Sequence, residues 1–315
     1  MRPDLMARAA AMYYLDDATQ AEIAARLGLS RPTVGRLLRQ ARDTGIVTIT
    51  VHPPAEYALE IGSELSRRFG VRHVLLAPDH SDPEVQRRLV ADAVAEYLQR
   101  HLRSGMTVAV GMGRNVAAVA EAVRHAPHRP CTFVAAIGGS PGTSRAVDAA
   151  EACRRLAERF GGASVCLYAP AYAESPGVRE AFLSHDDVAS TLRQAAGADL
   201  AIVGIGDADD NSAVVQMGCF GRSDMARMRA AGAVGDILGA FFDIEGRSVA
   251  AGMHDRVISL SADDLRAIDT VIAVASEAGK ARAILGALRS GLVQVIATST
   301  ANAREVIQLD QEQGG

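Results

Sequence analysis

The first periodic pattern of the chain, residues 19–27, predicts a short amphipathic helix. Thr19 and Glu22 stand three positions apart, as in a capping box, where each side chain binds the backbone N–H of the other residue. The apolar residues that follow recur on one helix face: Ile23, Ala24 and Leu27. The next three residues, Gly28-Leu29-Ser30, predict a tight turn, because glycine adopts a positive φ without strain.

A second helix is predicted directly after this turn. Ser30 is a suitable N-cap, and Pro32 falls in the first turn, where its missing N–H does little harm. The buried face is predicted from the spacing of Val34, Leu37, Leu38 and Ala41. No acidic residue interrupts positions 30–42, whose outer face carries Arg31, Thr33, Arg36, Arg39, Gln40 and Arg42.

Two helices joined by a glycine turn, the second one basic and polar outside, are typical of a helix-turn-helix whose second helix enters the DNA major groove. Arginine binds guanine through two hydrogen bonds, and hydroxyl groups reach base edges or phosphate. We therefore expect DNA contacts from Thr19, Gln20, Ser30, Arg31, Thr33, Arg36, Arg39 and Gln40. A surface helical hairpin with solvated charges is the alternative interpretation.

The pattern changes at residues 46–54. Residues 46–51 alternate apolar and polar side chains, which predicts a half-buried strand that serves as a wing or closing strand. Pro53-Pro54 then breaks the pattern. We place a DNA-binding domain at residues 1–52 and a second domain at residues 53–315.

Beyond residue 70, short apolar segments alternate with helical patterns. Strands are predicted at residues 71–76, 106–110, 132–137, 164–168, 200–205, 270–275 and 293–298, and helices at residues 85–102, 116–123, 145–160 and 281–288. This order predicts an α/β fold, a doubly wound parallel sheet with helices on both faces. Ligands bind such sheets just beyond the carboxyl ends of the strands, where glycines collect at positions 111, 113, 138, 139, 204 and 206.

Two of these glycine clusters imitate enzyme motifs. Gly111-Met112-Gly113 resembles the start of a dinucleotide fingerprint, but Val116 stands at the third glycine position and no acidic residue ends the next predicted strand. Residues 138–142, GGSPG, match the G-x-S-x-G nucleophile elbow, but Pro141 has no N–H to donate to an oxyanion. The turns are better suited to offer backbone N–H groups to an anion such as phosphate.

Lys280 is the only lysine among 33 basic residues. Because other basic positions accept arginine, this position predicts a need for a compact ammonium group at the ligand edge. A solvated lysine present by chance is the alternative.

Composition narrows the class of protein. The chain has 49% hydrophobic and 22% charged residues, typical of globular domains. No apolar run reaches the ~18 residues of a membrane span, and no secretory signal is recognisable. The four cysteines and eight histidines lack metal-ligand spacing, so we expect no metal, no cofactor, buried thiols and a cytoplasmic protein. Residues 1–52 hold seven arginines and five acidic residues, whereas the net charge of the whole chain is −4. A polyanion such as DNA is therefore expected to bind residues 1–52.

The whole chain resembles SorC-family (SorC/DeoR-like) sugar-responsive bacterial transcriptional regulators. The resemblance rests on the helix-turn-helix segment, residues 19–51, and on five later segments. These are VAVGMGRNVAAVAEAV, IGGSPG, ADLAIVGIGD, GAVGDILGAFFDIEG and GKARAILGAL. It implies a domain related to ribose-phosphate isomerase and sugar-phosphate deaminase folds but used for sensing, and homo-oligomers, commonly tetramers, on palindromic operators. By motif it implies an effector site made of Gly113, Arg114, Asn115, Gly138, Gly139, Ser140, Asp207, Asp236 and Lys280.

This chain departs from many relatives at two places in that site. They carry hydroxyl residues where Arg114 and Asn115 stand, and glycines where Ser276-Glu277-Ala278 precedes the lysine. These departures bear on whether the effector is a sugar, a sugar alcohol or a sugar phosphate.

Three functions fit the sequence to different degrees. The leading prediction is a DNA-binding regulator of carbohydrate metabolism whose operator affinity is set by such an effector, and not an enzyme. The alternative is a sugar-phosphate isomerase or deaminase fused to a DNA-binding domain. The sequence argues against this enzyme, because no paired carboxylates recur at the predicted strand ends, where acid–base catalysis would need them. A third is a constitutive DNA-binding protein with an oligomerising body. The helical stripe in residues 55–69 fits either a subunit contact or packing against its own domain.

Overall fold

The computed structural model describes residues 3–16, 18–44, 46–47, 55–124, 126–139, 147–209, 212–216, 220–249, 252 and 254–313. The chain divides into two compact units, Met1–His52 and Pro53–Gly315. Each unit has its own hydrophobic core.

The N-terminal unit is a three-helix module. Its helices are α1 (Pro3–Tyr14), α2 (Gln20–Leu27) and α3 (Arg31–Asp43). The predicted stripe of α3 is confirmed, since Val34, Leu37, Leu38 and Ala41 are all buried. Helix α1, which the sequence analysis did not predict, completes the core through Met6, Ala9 and Ala10.

The predicted caps of this module are present. The Glu22 carboxylate accepts from the Thr19 N–H at 2.8 Å, and the Thr19 hydroxyl accepts from the Glu22 N–H at 3.3 Å. Gly28 ends α2 at φ 66°, and the Ser30 hydroxyl accepts from the Thr33 N–H at 3.4 Å. Of the strand predicted at residues 46–51, only residues 46 and 47 are described, in a bend. Residues 48–51 lie outside the described residues.

The second unit is built on a seven-stranded sheet with every neighbouring pair parallel. The strands are β1 (His73–Ala77), β2 (Thr107–Val110), β3 (Thr132–Ala135), β4 (Ala163–Val165), β5 (Leu200–Gly204), β9 (Thr270–Ala275) and β10 (Val295–Ser299). Each overlaps one predicted strand, and their order is β1-β10-β9-β5-β2-β3-β4. The central strands are buried on both faces, as the apolar runs predict.

Helices cover the sheet in two layers. The helices of the unit are α4 (Ala55–Phe69), α5 (Pro83–His101), α6 (Arg114–Ala122), α7 (Ala149–Phe160), α8 (Pro176–Leu183), α9 (Asp186–Ala196), α10 (Ala213–Gln216), α11 (Arg222–Ala230), α12 (Ala262–Ala267), α13 (Ala281–Arg289) and α14 (Thr300–Gln313). Helices α5, α6 and α7 pack side by side, and α13, α14 and α4 form another contiguous group. Right-handed crossovers place these groups on opposite faces, because β1-β2-β3-β4 and β5-β9-β10 progress across the sheet in opposite directions.

A small antiparallel sheet follows β5 and was not predicted. Its strands are β6 (Gly206–Asp207), β7 (Gly235–Ile237) and β8 (Ala240–Phe242). The turn between β7 and β8 holds Leu238 at φ 52° and Gly239 at φ 79°. A leucine in the left-handed backbone conformation costs on the order of 1 kcal/mol or more. Contacts around Leu238 must therefore stabilise this conformation.

Among the described residues, no helix is both long enough and apolar enough to span a membrane. Cys131 and Cys153 are buried free thiols and Cys166 is half-buried. Cys219 lies outside the described residues.

Candidate functional site

A crevice lies at the point where the strand order of the main sheet reverses. The chain leaves β2 toward β3 and leaves β5 toward β9, so the loops after neighbouring strands β2 and β5 separate. Parallel sheets bind ligands at such a switch point. The crevice and its open mouth together hold about 680 Å³ of space that is not filled by protein atoms.

Four chain segments line this crevice. They are the turn after β2, the β5–β6 segment, the β7–β8 turn and the loop before α13. These segments supply Met112, Gly113, Arg114, Asn115, Gly204, Ile205, Gly206, Asp207, Asp236, Leu238, Gly239, Glu277 and Lys280. Two further lining residues, Ile137 and Tyr172, come from other loops. The structure thus brings together six of the nine residues predicted for the effector site: Gly113, Arg114, Asn115, Asp207, Asp236 and Lys280.

Lys280 is buried immediately before α13, which argues against a solvated lysine present by chance. Its ammonium Nζ donates to the Ile205 carbonyl at 2.7 Å and lies 3.2 Å from Asp207 Oδ2. An ammonium has three donors, so one N–H beyond these two contacts is available to a ligand.

Asp236 is held at the base of the crevice by the small sheet. Its Oδ2 accepts from the Gly239 N–H at 2.9 Å. A Cβ at position 206 would lie 1.9 Å from Asp236 Oδ1, so glycine at this position lets the Asp236 carboxylate stay where it is. Burial raises the pKa of Asp236 to about 6, against the lowering effects of the Gly239 hydrogen bond and the Lys280 charge.

Asp207 provides an unused acceptor in the same place. Its Oδ2 contacts Lys280, whereas its Oδ1 is buried and has no hydrogen-bond partner in the described structure. A buried carboxylate oxygen without a donor is costly, and an O–H or N–H group that reached this solvent-closed oxygen would relieve that cost.

Glu277 forms a polar corner at the start of α6. Its Oε2 accepts from Asn115 Nδ2 at 2.9 Å, while its Oε1 lies 3.8 Å from an Arg114 nitrogen and 3.5 Å from an Arg87 nitrogen. Burial by itself would raise the pKa of Glu277, but Lys280, Asn115 and Arg87 together hold it below its usual value. The Glu277 carboxylate is therefore ionised at neutral pH.

The glycine turn after β3 is placed differently from the sequence expectation. Ile137 lines the crevice, but Gly138 and Gly139 do not. A Cβ at position 138 would lie 2.5 Å from the Ala169 carbonyl oxygen, so this glycine permits close packing of two loops. Ser140 lies outside the described residues.

One sequence argument is corrected by this geometry. We expected no paired carboxylates at the strand ends, yet Asp207 and Asp236 meet there because their strands β6 and β7 pair in the small sheet. The antiparallel pairing of β6 with β7 was not predictable from strands of two and three residues. The absence of paired acids is therefore no argument against an enzyme.

Glu277 is the functional candidate that the site prediction omitted. The available signal was its position three residues before the unique lysine in a loop at the ligand edge. Leu238 and Tyr172 had no such signal, because only the turn conformation and the loop packing bring them to the crevice.

The outer face of α3 forms a second candidate site, in the N-terminal unit. Arg31, Arg36, Arg39, Gln40 and Arg42 are exposed. Arg36 donates to the Thr33 hydroxyl at 3.4 Å, and the structure shows no ion pair for these four arginines among the described residues. Gln20 lies against the same helix, since its Oε1 is 3.5 Å from where a Cβ on Gly35 would stand. Thr19 and Ser30 are engaged as caps.

A search for clusters of histidine, cysteine and acidic side chains finds no metal-binding group within the described part of the chain.

Two known domain families match this chain. The domain family described as "Putative sugar-binding domain" matches residues 54–308, and the model of Sigma-70, region 4, matches residues 9–44. The transcriptional regulator LsrR of Escherichia coli O139:H28 is 30% identical over 314 residues, covering 96% of this chain and 94% of its own.

Two solved structures extend the comparison. The full-length sorbitol operon regulator SorC from Klebsiella pneumoniae is 27% identical, with a TM-score of 0.74, and the match covers 96% of this chain and 98% of that one. A "Putative Sugar-Binding Domain of Transcriptional Repressor" from Vibrio fischeri is 42% identical with a TM-score of 0.75, covering 80% of this chain and 99% of that one.

A helix-turn-helix unit followed by a parallel α/β domain with a strand-end crevice defines a ligand-responsive transcriptional regulator. The relatives carry the names of regulators and not of enzymes. The chain belongs to the SorC family of sugar-binding bacterial transcriptional regulators.

Proposed function

We propose that this chain regulates a carbohydrate-metabolism operon by binding its operator with residues 1–52 and a carbohydrate effector with residues 53–315. The observation that carries the proposal is the crevice itself, where Lys280, Asp207 and Asp236 meet at the switch point of the sheet. The sorbitol operon regulator among the solved relatives supports a polyhydroxylated effector.

The effector is bound through its hydroxyl groups. The free oxygen of Asp207 accepts one hydroxyl, and Lys280 donates to another. Asp236 and Asn115 contribute further polar contacts, and the apolar side chains of Met112 and Leu238 cover carbon atoms of the ligand. Such a mix of apolar walls and few convergent polar groups is the usual make-up of small-molecule sites.

Operator binding uses the outer face of α3. Its N-terminal residues Ser30, Arg31 and Thr33 approach base edges or phosphate, and Arg36 and Arg39 reach into the groove or along the backbone. Gln20 and Thr19, at the start of α2, contact the phosphates beside them.

The regulator acts as a homo-oligomer, a dimer or tetramer, in the cytoplasm. A single reading helix contacts only one half-site, so two copies are needed on a palindromic operator.

The effector site is tested with Lys280→Met in the full-length protein. This change keeps the length of the side chain but removes the ammonium, so operator binding persists while the carbohydrate no longer alters it. The measurement is operator affinity by fluorescence anisotropy, with and without each member of a panel of sugars and polyols.

Arg282→Met is the matched control, because it removes a cation from the exposed side of the same helix. The control retains the response. A Lys280→Met protein that responds at wild-type effector concentrations would remove Lys280 from the site.

A further inference from the structure

The Glu277 corner places a carboxylate among positively charged and hydrogen-bond-donating groups at the start of α6. The start of α6, which has no side-chain cap among the described residues, and the side chains of Arg114, Asn115 and Arg87 together form an electropositive environment. Glu277 occupies it with an ionised carboxylate bound to Asn115 Nδ2 at 2.9 Å.

Asn115 is fixed in this role by a second bond. The buried Ser276 hydroxyl donates to Asn115 Oδ1 at 2.6 Å, so the amide nitrogen of Asn115 faces Glu277. Asn302 Nδ2 donates to the Glu277 carbonyl at 3.0 Å and holds the backbone of the same loop. The carboxylate is therefore positioned from both sides and is not a mobile surface group.

The balance of charge in the crevice opposes a second anion. Among the described lining residues, the cations are Arg114 and Lys280, and the carboxylates are Asp207, Asp236 and Glu277. Both cations already contact a carboxylate, Arg114 with Glu277 and Lys280 with Asp207. A phosphate dianion would meet carboxylate repulsion that these two paired cations do not offset.

The crevice site contains a hydrogen-bond acceptor, on Asp207, that lacks a donor among the described residues. The buried Oδ1 of Asp207 has no partner in the described structure. A hydroxyl group donates to a carboxylate, whereas a phosphate dianion only accepts. The hydroxyl groups of a free or a phosphorylated sugar meet this need, whereas the phosphate group itself does not.

From these observations we infer that the Glu277 carboxylate makes the crevice selective for an uncharged polyol or sugar and excludes its phosphomonoester. The inference rests on the proposed function and names its effector class. Glu277 acts as the specificity-determining residue by filling the position of a ligand phosphate.

Matched pairs of ligands test the inference on the wild-type full-length protein. The probes are erythritol, ribitol, D-sorbitol, D-ribose and D-glucose, each compared with its terminal phosphomonoester by calorimetric titration. For a compound that binds, the free form is expected to bind about tenfold or more tighter than the phosphorylated form.

Glu277→Gln then tests the residue. The amide retains a hydrogen-bond acceptor for Asn115 but removes the charge, so the preference for the free form falls by about tenfold or more. Inorganic phosphate, compared with chloride at equal ionic strength, raises the melting temperature of Glu277→Gln and not of the wild type. Glu158→Gln, which neutralises an exposed glutamate at the far end of α7, is the matched control and behaves as wild type.

The outcomes separate this inference from the function on which it rests. A wild-type protein that binds a phosphomonoester more tightly than the free compound overturns the inference and leaves the regulator intact. A wild-type preference for free compounds that persists in Glu277→Gln overturns the role of Glu277. If neither form of any compound binds, the proposed carbohydrate effector is wrong, and the inference falls with it.

Discussion

At the scale of single residues, the crevice combines charges that burial makes costly. Asp236 has a folded-state pKa of about 6 against an ordinary 3.8, because desolvation outweighs its bond to Gly239 and the charge of Lys280. The nearby Asp207 adds to the raised value. Buried carboxylates of this kind reduce stability and are characteristic of functional sites.

This pKa predicts the effect of Asp236→Asn on stability. Because the folded pKa exceeds the unfolded one, the native state binds more protons between about pH 4 and 6, and stability falls as the pH rises through that window. The asparagine variant lacks this fall, so at about pH 8 its free energy of unfolding exceeds that of the wild type by on the order of 1–3 kcal/mol. Urea denaturation of the ligand-free proteins across this pH range is the measurement.

The same change is expected to weaken the effector response, because Asp236 lines the crevice in which we propose that the effector binds. A wild-type pH profile parallel to that of the variant would show that Asp236 is not the group whose burial costs stability.

At the scale of elements, one face of α3 packs in the core of the N-terminal unit, and the opposite face is exposed and is proposed to contact DNA. Val34 and Leu37 are completely buried, whereas Arg36 and Arg39 are exposed. Substitution of an exposed arginine therefore changes DNA contacts with little effect on the core. The Ser30 cap and the Gly28 turn set the direction in which the helix leaves the module.

Arg36 and Arg39 are expected to have different roles. Arg36→Ala relaxes sequence preference and costs about 1–3 kcal/mol at the specific operator if the guanidinium reads a base. Arg39→Ala weakens all duplexes similarly and reduces the salt dependence, as loss of a phosphate contact does. Anisotropy titrations against operator and scrambled DNA at several salt concentrations distinguish the two.

Arg8→Ala on α1 is the control, because it removes an exposed arginine from a helix outside the turn motif. If deletion of residues 1–52 left operator binding unchanged, the assignment of the whole unit would be wrong.

At the scale of the whole molecule, α4 and the edge of the sheet bear on assembly. The predicted stripe of α4 packs into its own domain, where Ile61 and Leu65 are buried. Leu59, on another side of the helix, is 69% exposed beside the edge strand β1. The stripe therefore stabilises the domain, and we propose that the exposed Leu59 contacts a second copy.

The assembly prediction follows from this surface and from the two-fold symmetry of palindromes. Light scattering at micromolar concentration is expected to give two or four times the mass of one chain, and Leu59→Glu to shift the population toward smaller species because a charge replaces apolar contact. Half-sites are expected about one helical turn, or a multiple of it, apart. A strictly monomeric wild type would contradict the proposal.

The sequence alone determined the elements whose signals are local. The T-x-x-E cap, the glycine turn and the 3.6-residue stripe defined α2 and α3, because helix ends and amphipathic faces depend on neighbours three or four positions away. Runs of apolar residues located all seven strands of the main sheet, since strands buried on both faces need such runs. The unique lysine and the glycine-rich strand ends predicted the edge of the sheet at which the crevice lies.

Only the tertiary structure decided which of those residues meet. The strand order placed the loops after β2, β5 and β9 around one crevice and left Gly138 and Gly139 outside it. The pairing of β6 with β7 brought Asp236 to Asp207, and loop packing brought Glu277 to Asn115 across 162 positions of sequence. Such contacts have no local signal, because they depend on the free energy of long-range packing and not on any periodicity in the chain.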